Sequence, residues 1–239
     1  MEQLNLNEIL NRNEIKNNIL DFLKSFHENK SQLNILRGIY LFGECGIGKT
    51  HFVKQVLKEA NYDIIYYDAS DSRNKNIIEN ISKHNMSDTN VLSMFHRNKK
   101  KIVIIMDEID GMNNGDKGGI GALIKIIRQK KTKKQKLENV SLNPIICIGN
   151  YFFDKKIKEL MKVCNVFELK TPVNKEISMF LNNMNVSNSI KNKSIEYIQG
   201  DLRKLQFIEQ LYKSGHLLNE NFIDNILKVK CHNEDSKNI

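Results

Sequence analysis

Five short apolar runs recur along the chain: "LRGIYLF" (36–42), "YDIIYYD" (62–68), "KIVIIMD" (101–107), "NPIICIG" (143–149) and "VCNVFEL" (163–169). Their apolar residues are continuous rather than alternating, which predicts strands covered on both faces. Amphipathic stretches lie between them. In "GIGALIKIIRQ", Ile120, Leu123, Ile124 and Ile127 fall on one face at helical spacing. Strands that alternate with helices predict an α/β domain with a parallel five-stranded sheet flanked by helices. After Pro172 the strand signal stops. "KEISMFLNNM", "NSIKNKSIEYIQ", "DLRKLQFIEQLYK" and "NENFIDNILK" all read as helices, with Gly200 and Gly215 as stops. The expected division is a core over residues 1–172, a small all-helical domain over 173–230 and a flexible tail over 231–239.

Charge adds a partner class. The 239 residues carry a formal net charge of +9, which favours anionic partners, nucleic acid first among them. Five of the positive charges cluster at Lys130, Lys131, Lys133, Lys134 and Lys136, in a polar insertion expected to prolong the preceding helix or to loop out before the next strand. Such runs are usually solvated faces, and phosphate contact is the less common reading. The four cysteines, Cys45, Cys147, Cys164 and Cys231, show no C-x-x-C spacing, so no zinc site is predicted and a reducing compartment fits. No apolar run reaches the length of a membrane span, and the first residues show no secretory pattern. The expectation is a soluble intracellular protein with no membrane partner.

The candidate chemistry starts at "GECGIGKTH", Gly43 to His51. Gly43, Gly46, Gly48, Lys49 and Thr50 make the pattern G-x-x-x-x-G-K-T, with an apolar strand before it and a helix after it. Glycines let the backbone N–H groups of Glu44, Cys45, Gly46, Ile47 and Gly48 turn inward around a phosphate chain. The following helix adds its positive end. Lys49 is then expected to reach the β- and γ-phosphates of ATP, and the Thr50 hydroxyl to ligate Mg²⁺.

A second motif closes the site. The strand "KIVIIMD" ends in Asp107-Glu108. A carboxylate at the end of a buried strand is costly unless it meets a cation. Asp107 suits Mg²⁺, held through water, and Glu108 suits the general base that polarises an attacking water. Both lie where a parallel sheet places ligands, at the carboxyl ends of its strands. Asn150, after "IICIG", is a candidate to orient that water. Arg203, in "GDLRKL", is a candidate to reach the γ-phosphate from across the cleft.

Together these residues resemble the AAA+ branch of the P-loop NTPases, and within it the clamp loaders, most closely large subunits of the replication factor C type. "YYDASDSRNK" (66–75) is similar to an Ala-Ser-Asp-x-Arg segment of that family. "IMDEIDGMNNGDKGGIGALIKIIRQ" (105–129) is similar to its Walker B strand, acidic glycine loop and next helix, and "NPIICIGN" to its sensor 1 strand. The resemblance is good from about Leu36 to Thr171, weaker through the helical lid, and covers only the ATPase core and lid. The family's carboxy-terminal collar and the large subunit's amino-terminal BRCT region have no counterpart in these residues, so ring assembly would draw on another chain.

The resemblance implies an ATP-hydrolysing subunit of a DNA sliding-clamp loader that acts in DNA replication, in the nucleus or another replication site such as a viral replication compartment. Its partners would be small clamp-loader subunits in a hetero-oligomeric ring, the sliding clamp and primer-template DNA. Where small subunits carry Ser-Arg-Cys, this chain has Lys162-Val163-Cys164. It is expected to receive a neighbour's arginine finger and not to give one, so turnover alone would be slow. Lys117, Gly118 and Gly119, with Arg73, are the candidate phosphate contacts to DNA. Val91, Met94 and Phe95, at i, i+3, i+4 spacing, are the candidate plug for a groove on the clamp, and ordinary core packing serves the same three equally well. The segment "LNEILNRNEIKNNIL" is expected to pack against adenine. Two other readings stay open: a DNA-remodelling ATPase that needs no clamp, such as a helicase loader or recombination-maintenance enzyme, and a scaffold that holds nucleotide without hydrolysing it.

Overall fold

Five parallel strands form one sheet in the order β2-β3-β4-β1-β5. They are β1 (Gly38–Phe42), β2 (Tyr62–Tyr67), β3 (Lys101–Met106), β4 (Ile145–Gly149) and β5 (Asn165–Glu168). The computed structural model describes residues 6–68, 100–113, 119–136, 141–151, 154–184 and 187–214. All five predicted strands are present, each slightly shorter than its apolar run. The parallel fold and its flanking helices follow the expectation.

Cover on both faces holds only for the middle of the sheet. β4 is buried throughout, β3 from its second residue and β1 up to its last, whereas β2 and β5 are half-exposed. The reason is position: β2 and β5 are the two edges. Side chains alternate across a strand. Tyr40, Ile104, Met106, Ile145 and Cys147 therefore pack on one face with Ile120, Leu123, Ile126 and Ile127 of α4 (Gly119–Ile127) and with Ile157 and Leu160 of α6 (Lys155–Met161). Their opposite-pointing neighbours Ile39, Leu41, Val103, Ile105, Ile146 and Ile148 are equally buried. α2 (Asn13–Glu28) buries Ile19, Phe22, Leu23 and Phe26, and α3 (Lys49–Glu59) buries Phe52, Val53, Val56 and Leu57. Lys16 of α2 pairs with Glu59 of α3 at 2.6 Å.

The lysine-rich insertion neither prolongs α4 nor remains a pure loop. α4 stops at Ile127, and a single turn, α5 (Lys133–Lys136), follows. Lys130 is fully buried, its ammonium donating to the Lys125 carbonyl and its backbone N–H to the Leu33 carbonyl. It is no part of a solvated face. Lys131, Lys133, Lys134 and Lys136 are the exposed members of the run. Arg37 is also buried and donates to the carbonyls of Ser141 (2.7 Å) and Gln32 (2.8 Å), tying the stretch before β1 to the stretch before β4.

By contact the chain divides into two compact units, one of Arg12–Glu44 and Lys49–Lys170, the other of Met1–Asn11, Cys45–Gly48 and Thr171–Ile239. The second holds α1 (Leu6–Ile9), α7 (Asn174–Asn182), α8 (Asn188–Ile198) and α9 (Leu202–Lys213). Ile177, Leu181, Ile190, Ile198, Leu202, Leu205 and Ile208 form its core, with Leu10 packed against it. α8 ends at Ile198, and the next two residues, Gln199 and Gly200, turn through positive φ of 47° and 82°. Arg73, Val91, Met94, Phe95, Lys117, Gly118, the expected helix over 219–228 and the tail lie outside the described residues. Gly119 is the buried first residue of α4.

Gly38 shows how tightly the sheet meets α4. A Cβ there would fall 2.7 Å from Ile127 Cγ2 and 2.9 Å from Cys164 Sγ. Gly38→Ala is expected to destabilise the protein by about 1–3 kcal/mol through overpacking, read as a lower denaturant midpoint at unchanged slope.

Candidate nucleotide-binding site

Because all strands are parallel, the segments after β1, β3 and β4 leave the same end of the sheet, and β4 lies between the other two. That order brings three distant pieces of sequence together. The segment after β1 turns through Gly46 and Gly48, at φ of 82° and 77°. L-residues with a side chain rarely adopt that conformation, so the glycine spacing is dictated by backbone. α3 then starts at Lys49, and its first turn offers N–H groups without intrahelical partners.

Lys49 Nζ donates to the carbonyls of Gly43 (2.9 Å) and Glu44 (2.7 Å) and to Asn150 Oδ1 (2.8 Å). The ammonium thus ties the end of β1 to the end of β4. Thr50 Oγ1 donates to Asp107 Oδ2 at 2.6 Å. A threonine hydroxyl keeps free lone pairs while it donates, so this pair presents the hard oxygen donors that Mg²⁺ prefers. Asp107 is only 7% exposed, and its Oδ1 accepts from the backbone N–H of Glu108 at 2.9 Å.

Glu108 is exposed and stands at φ 49°. A non-glycine residue in that region costs about 1–2 kcal/mol, and such outliers gather at functional sites. Its carbonyl accepts from Gly111 N–H at 2.9 Å, so a tight turn holds the backbone while the carboxylate faces solvent. His51 lies exposed in the first turn of α3.

Two residues of this site escaped the sequence reading. Asp110 Oδ2 accepts from the backbone N–H of Asn150 at 2.6 Å. Burial raises the Asp110 pKa, opposed by that hydrogen bond and by the charge of Lys49. Gly149 leaves room for this contact, since a Cβ there would fall 2.3 Å from the Tyr40 hydroxyl and 2.7 Å from Asp110 Oδ1. The available signal was the second aspartate in "DEID", three residues after Asp107. The other is Tyr66, whose hydroxyl donates to Asp107 Oδ2 at 2.8 Å. The sequence shows it as a strand position at the start of the segment 66–75, with nothing to mark it as a partner of Asp107.

In the helical unit, Arg203 lies one residue inside α9, whose N-cap is Asp201. Asp201 Oδ1 accepts from the Arg203 backbone N–H at 2.8 Å, and its carboxylate takes the guanidinium at 3.1–3.2 Å. Partial burial works against ionisation of Asp201, but these bonds outweigh it and hold the carboxyl below the usual range. Arg203 Nη2 also reaches Cys45 Sγ at 3.6 Å, and Leu202 N–H donates to the Gly46 carbonyl at 2.9 Å. A Cβ on Gly46 would fall 2.4 Å from the Asp201 carboxylate. Gly46 is thus required twice, by φ and by Asp201.

The model of the AAA family, the ATPase family associated with various cellular activities, matches residues 39–173. The chain belongs to that family. The match contains β1 from its second residue, the glycine loop, Asp107, Glu108 and Asn150, and places the chain among nucleotide-binding ATPases. It is also similar to replication factor C subunit 1 of Saccharomyces cerevisiae, 28% identical over 217 residues, 85% of this chain and 24% of that protein. The replication factor C large subunit of Nanoarchaeum equitans is 28% identical over 226 residues, 91% of this chain and 47% of that protein. Replication factor C subunit 1 of Arabidopsis thaliana is 31% identical over 184 residues, 70% of this chain and 18% of that protein. The chain spans less than half the length of each of these relatives. Among the described residues, no helix is long and apolar enough to cross a membrane.

Proposed function

We propose that this chain is the ATP-binding and hydrolysing subunit of a DNA sliding-clamp loader, with residues 1–172 as its ATPase core and 173–230 as its helical lid. The observation that carries the ATPase part is the joined pair of contacts at the carboxyl end of the sheet, Lys49 to Asn150 and Thr50 to Asp107, beside an exposed Glu108. Similarity to replication factor C large subunits from yeast, plant and archaeal sources supports the clamp-loader part.

The residues fit Mg²⁺ and ATP. Gly43 to His51 would wrap the phosphates, with Lys49 on the β- and γ-phosphates. Thr50 and Asp107 would hold the metal. Mg²⁺ held there would supply positive charge to offset the negative charge that develops on the phosphates. Glu108 would take the proton of the attacking water, and Asn150, fixed through its own N–H by Asp110, would orient that water. Arg203 is assigned to the terminal phosphate. ATP binding would order a ring of this chain with small clamp-loader subunits so that it opens the sliding clamp and grips primer-template DNA, and hydrolysis would release both. Lys162-Val163-Cys164 offers no arginine to a neighbour, so a neighbour's arginine would complete this site.

The test is ATP turnover by the chain alone and mixed with small clamp-loader subunits from the same source, each with and without primed DNA and clamp. The expected result is slow turnover alone and stimulation that needs both the subunits and the clamp. Stimulation by DNA without clamp dependence would replace this reading with a DNA-remodelling ATPase. No turnover in any mixture would replace it with a nucleotide-bound scaffold.

A further inference from the structure

Asp107 Oδ2 accepts two hydrogen bonds, from the Thr50 hydroxyl at 2.6 Å and from the Tyr66 phenol at 2.8 Å. Thr50 comes from the start of α3 and Tyr66 from the edge strand β2. The ring of Tyr66 is held in turn by α3, with Lys54 Nζ 3.5 Å from its centroid. Residues four apart on a helix share a face, so Thr50 and Lys54 grip the same neighbourhood one turn apart. The contacts form a closed circuit: Thr50 to Asp107, Asp107 to Tyr66, Tyr66 to Lys54, and Lys54 back through one turn of α3 to Thr50.

Ordinary packing does not account for the circuit. Tyr66 is 37% exposed and sits on an edge strand. Its hydroxyl could be hydrated at no cost there, yet it is directed at a carboxylate that is 7% exposed. A carboxylate that holds a metal, directly or through water, must keep its orientation when the cation leaves, and hydrogen bonds to its oxygens do this. Thr50 cannot fix the carboxylate alone, because it is itself a candidate ligand. The phenol is a donor that does not compete for the metal in neutral form, and a cation over the ring face limits its swing.

We propose that Tyr66, clamped by Lys54, is a positioning residue that sets the Asp107 carboxylate for Mg²⁺. This rests on the reading of the site as one for Mg²⁺ and ATP. Its consequence is separable from that reading: Tyr66 governs how strongly Mg²⁺ tightens nucleotide binding, not nucleotide binding itself.

The experiment is equilibrium titration of the full chain with a fluorescent ATP analogue, in chelator and across a Mg²⁺ series, for wild type, Tyr66→Phe and Lys54→Gln. Tyr66→Phe is expected to raise the Mg²⁺ midpoint about tenfold, in line with other losses of an outer partner to a metal ligand, with the affinity in chelator unchanged. Lys54→Gln is expected to shift the midpoint in the same direction by less, and it carries the test should the phenylalanine variant fail to fold. A midpoint unmoved in the variants, or an equal loss of affinity in chelator, would overturn the role of Tyr66. A wild-type chain that binds no nucleotide, or binds it with no response to Mg²⁺, would overturn the reading of the site itself.

Discussion

Glu108→Gln is expected to leave ATP binding unchanged and to lower turnover in the complete mixture by about 10²–10⁴-fold, the usual worth of a positioned general base. The substitution keeps shape and removes the negative charge, and with it the ability to accept a proton. The backbone of residue 108 is fixed by groups the side chain does not supply: its N–H on Asp107 Oδ1 and its carbonyl on Gly111 N–H. The unusual φ of 49° therefore survives the change. The carboxylate is exposed and makes no hydrogen bond or ion pair among the described residues, so thermal stability should stay within about 0.5 kcal/mol, as for ordinary surface changes. Binding and single-turnover hydrolysis, measured on the same preparation, separate the two effects. Turnover within threefold of wild type would remove Glu108 from the role of base. Loss of both binding and turnover would place its side chain in nucleotide recognition instead.

What could be read from the sequence divides along a physical line. Patterns that backbone geometry imposes were legible. The glycines mark a loop whose backbone turns tightly, and Gly46 and Gly48 both stand at positive φ. The apolar runs announce strands, and β1, β3 and β4 are as buried as continuous runs require. Properties set by position within the sheet were not legible. "YDIIYYD" and "NPIICIG" look alike as strings, but one became an edge and the other the centre. For the same reason Tyr66 read as a strand residue and not as a partner of Asp107, since the contact depends on β2 pairing beside β3. Lys130 is the sharpest miss. Composition places it in a solvated run, whereas its side chain is buried and its ammonium bonded to a carbonyl. A local charge count carries no information about which member of a run turns inward. Asp110 and Asp201 were missed for another reason: each accepts from the backbone N–H of a residue already singled out, Asn150 and Arg203, and such a supporting role leaves no catalytic spacing of its own.

Lys49→Ala should abolish ATP binding at concentrations that saturate the wild type, an effect of about 100-fold or more in affinity. Removing one partner of a desolvated charge contact costs about 2–5 kcal/mol, and every 1.4 kcal/mol is a factor of ten. The fold itself should tolerate the change. Among the described residues Lys49 holds two backbone carbonyls of the segment after β1, and Glu44 is exposed, so water replaces the ammonium at its carbonyl. It also holds Asn150 Oδ1, whose residue stays anchored through its N–H on Asp110. A ligand that binds only the folded state at 100 times its Kd stabilises by about 2.7 kcal/mol. ATP with Mg²⁺ should therefore raise the thermal midpoint of wild type clearly and that of Lys49→Ala not at all, with the two proteins close together in the absence of nucleotide. Lys49→Arg is the sharper control. It retains the charge but replaces a compact ammonium with a longer planar fork, which does not fit among the carbonyls of Gly43 and Glu44 and the Asn150 amide. Loss of the ATP-induced shift in both variants would locate phosphate recognition in the geometry of that ammonium. Its retention in Lys49→Arg alone would leave charge as the whole of the contribution, and its retention in Lys49→Ala would remove phosphate binding from this loop.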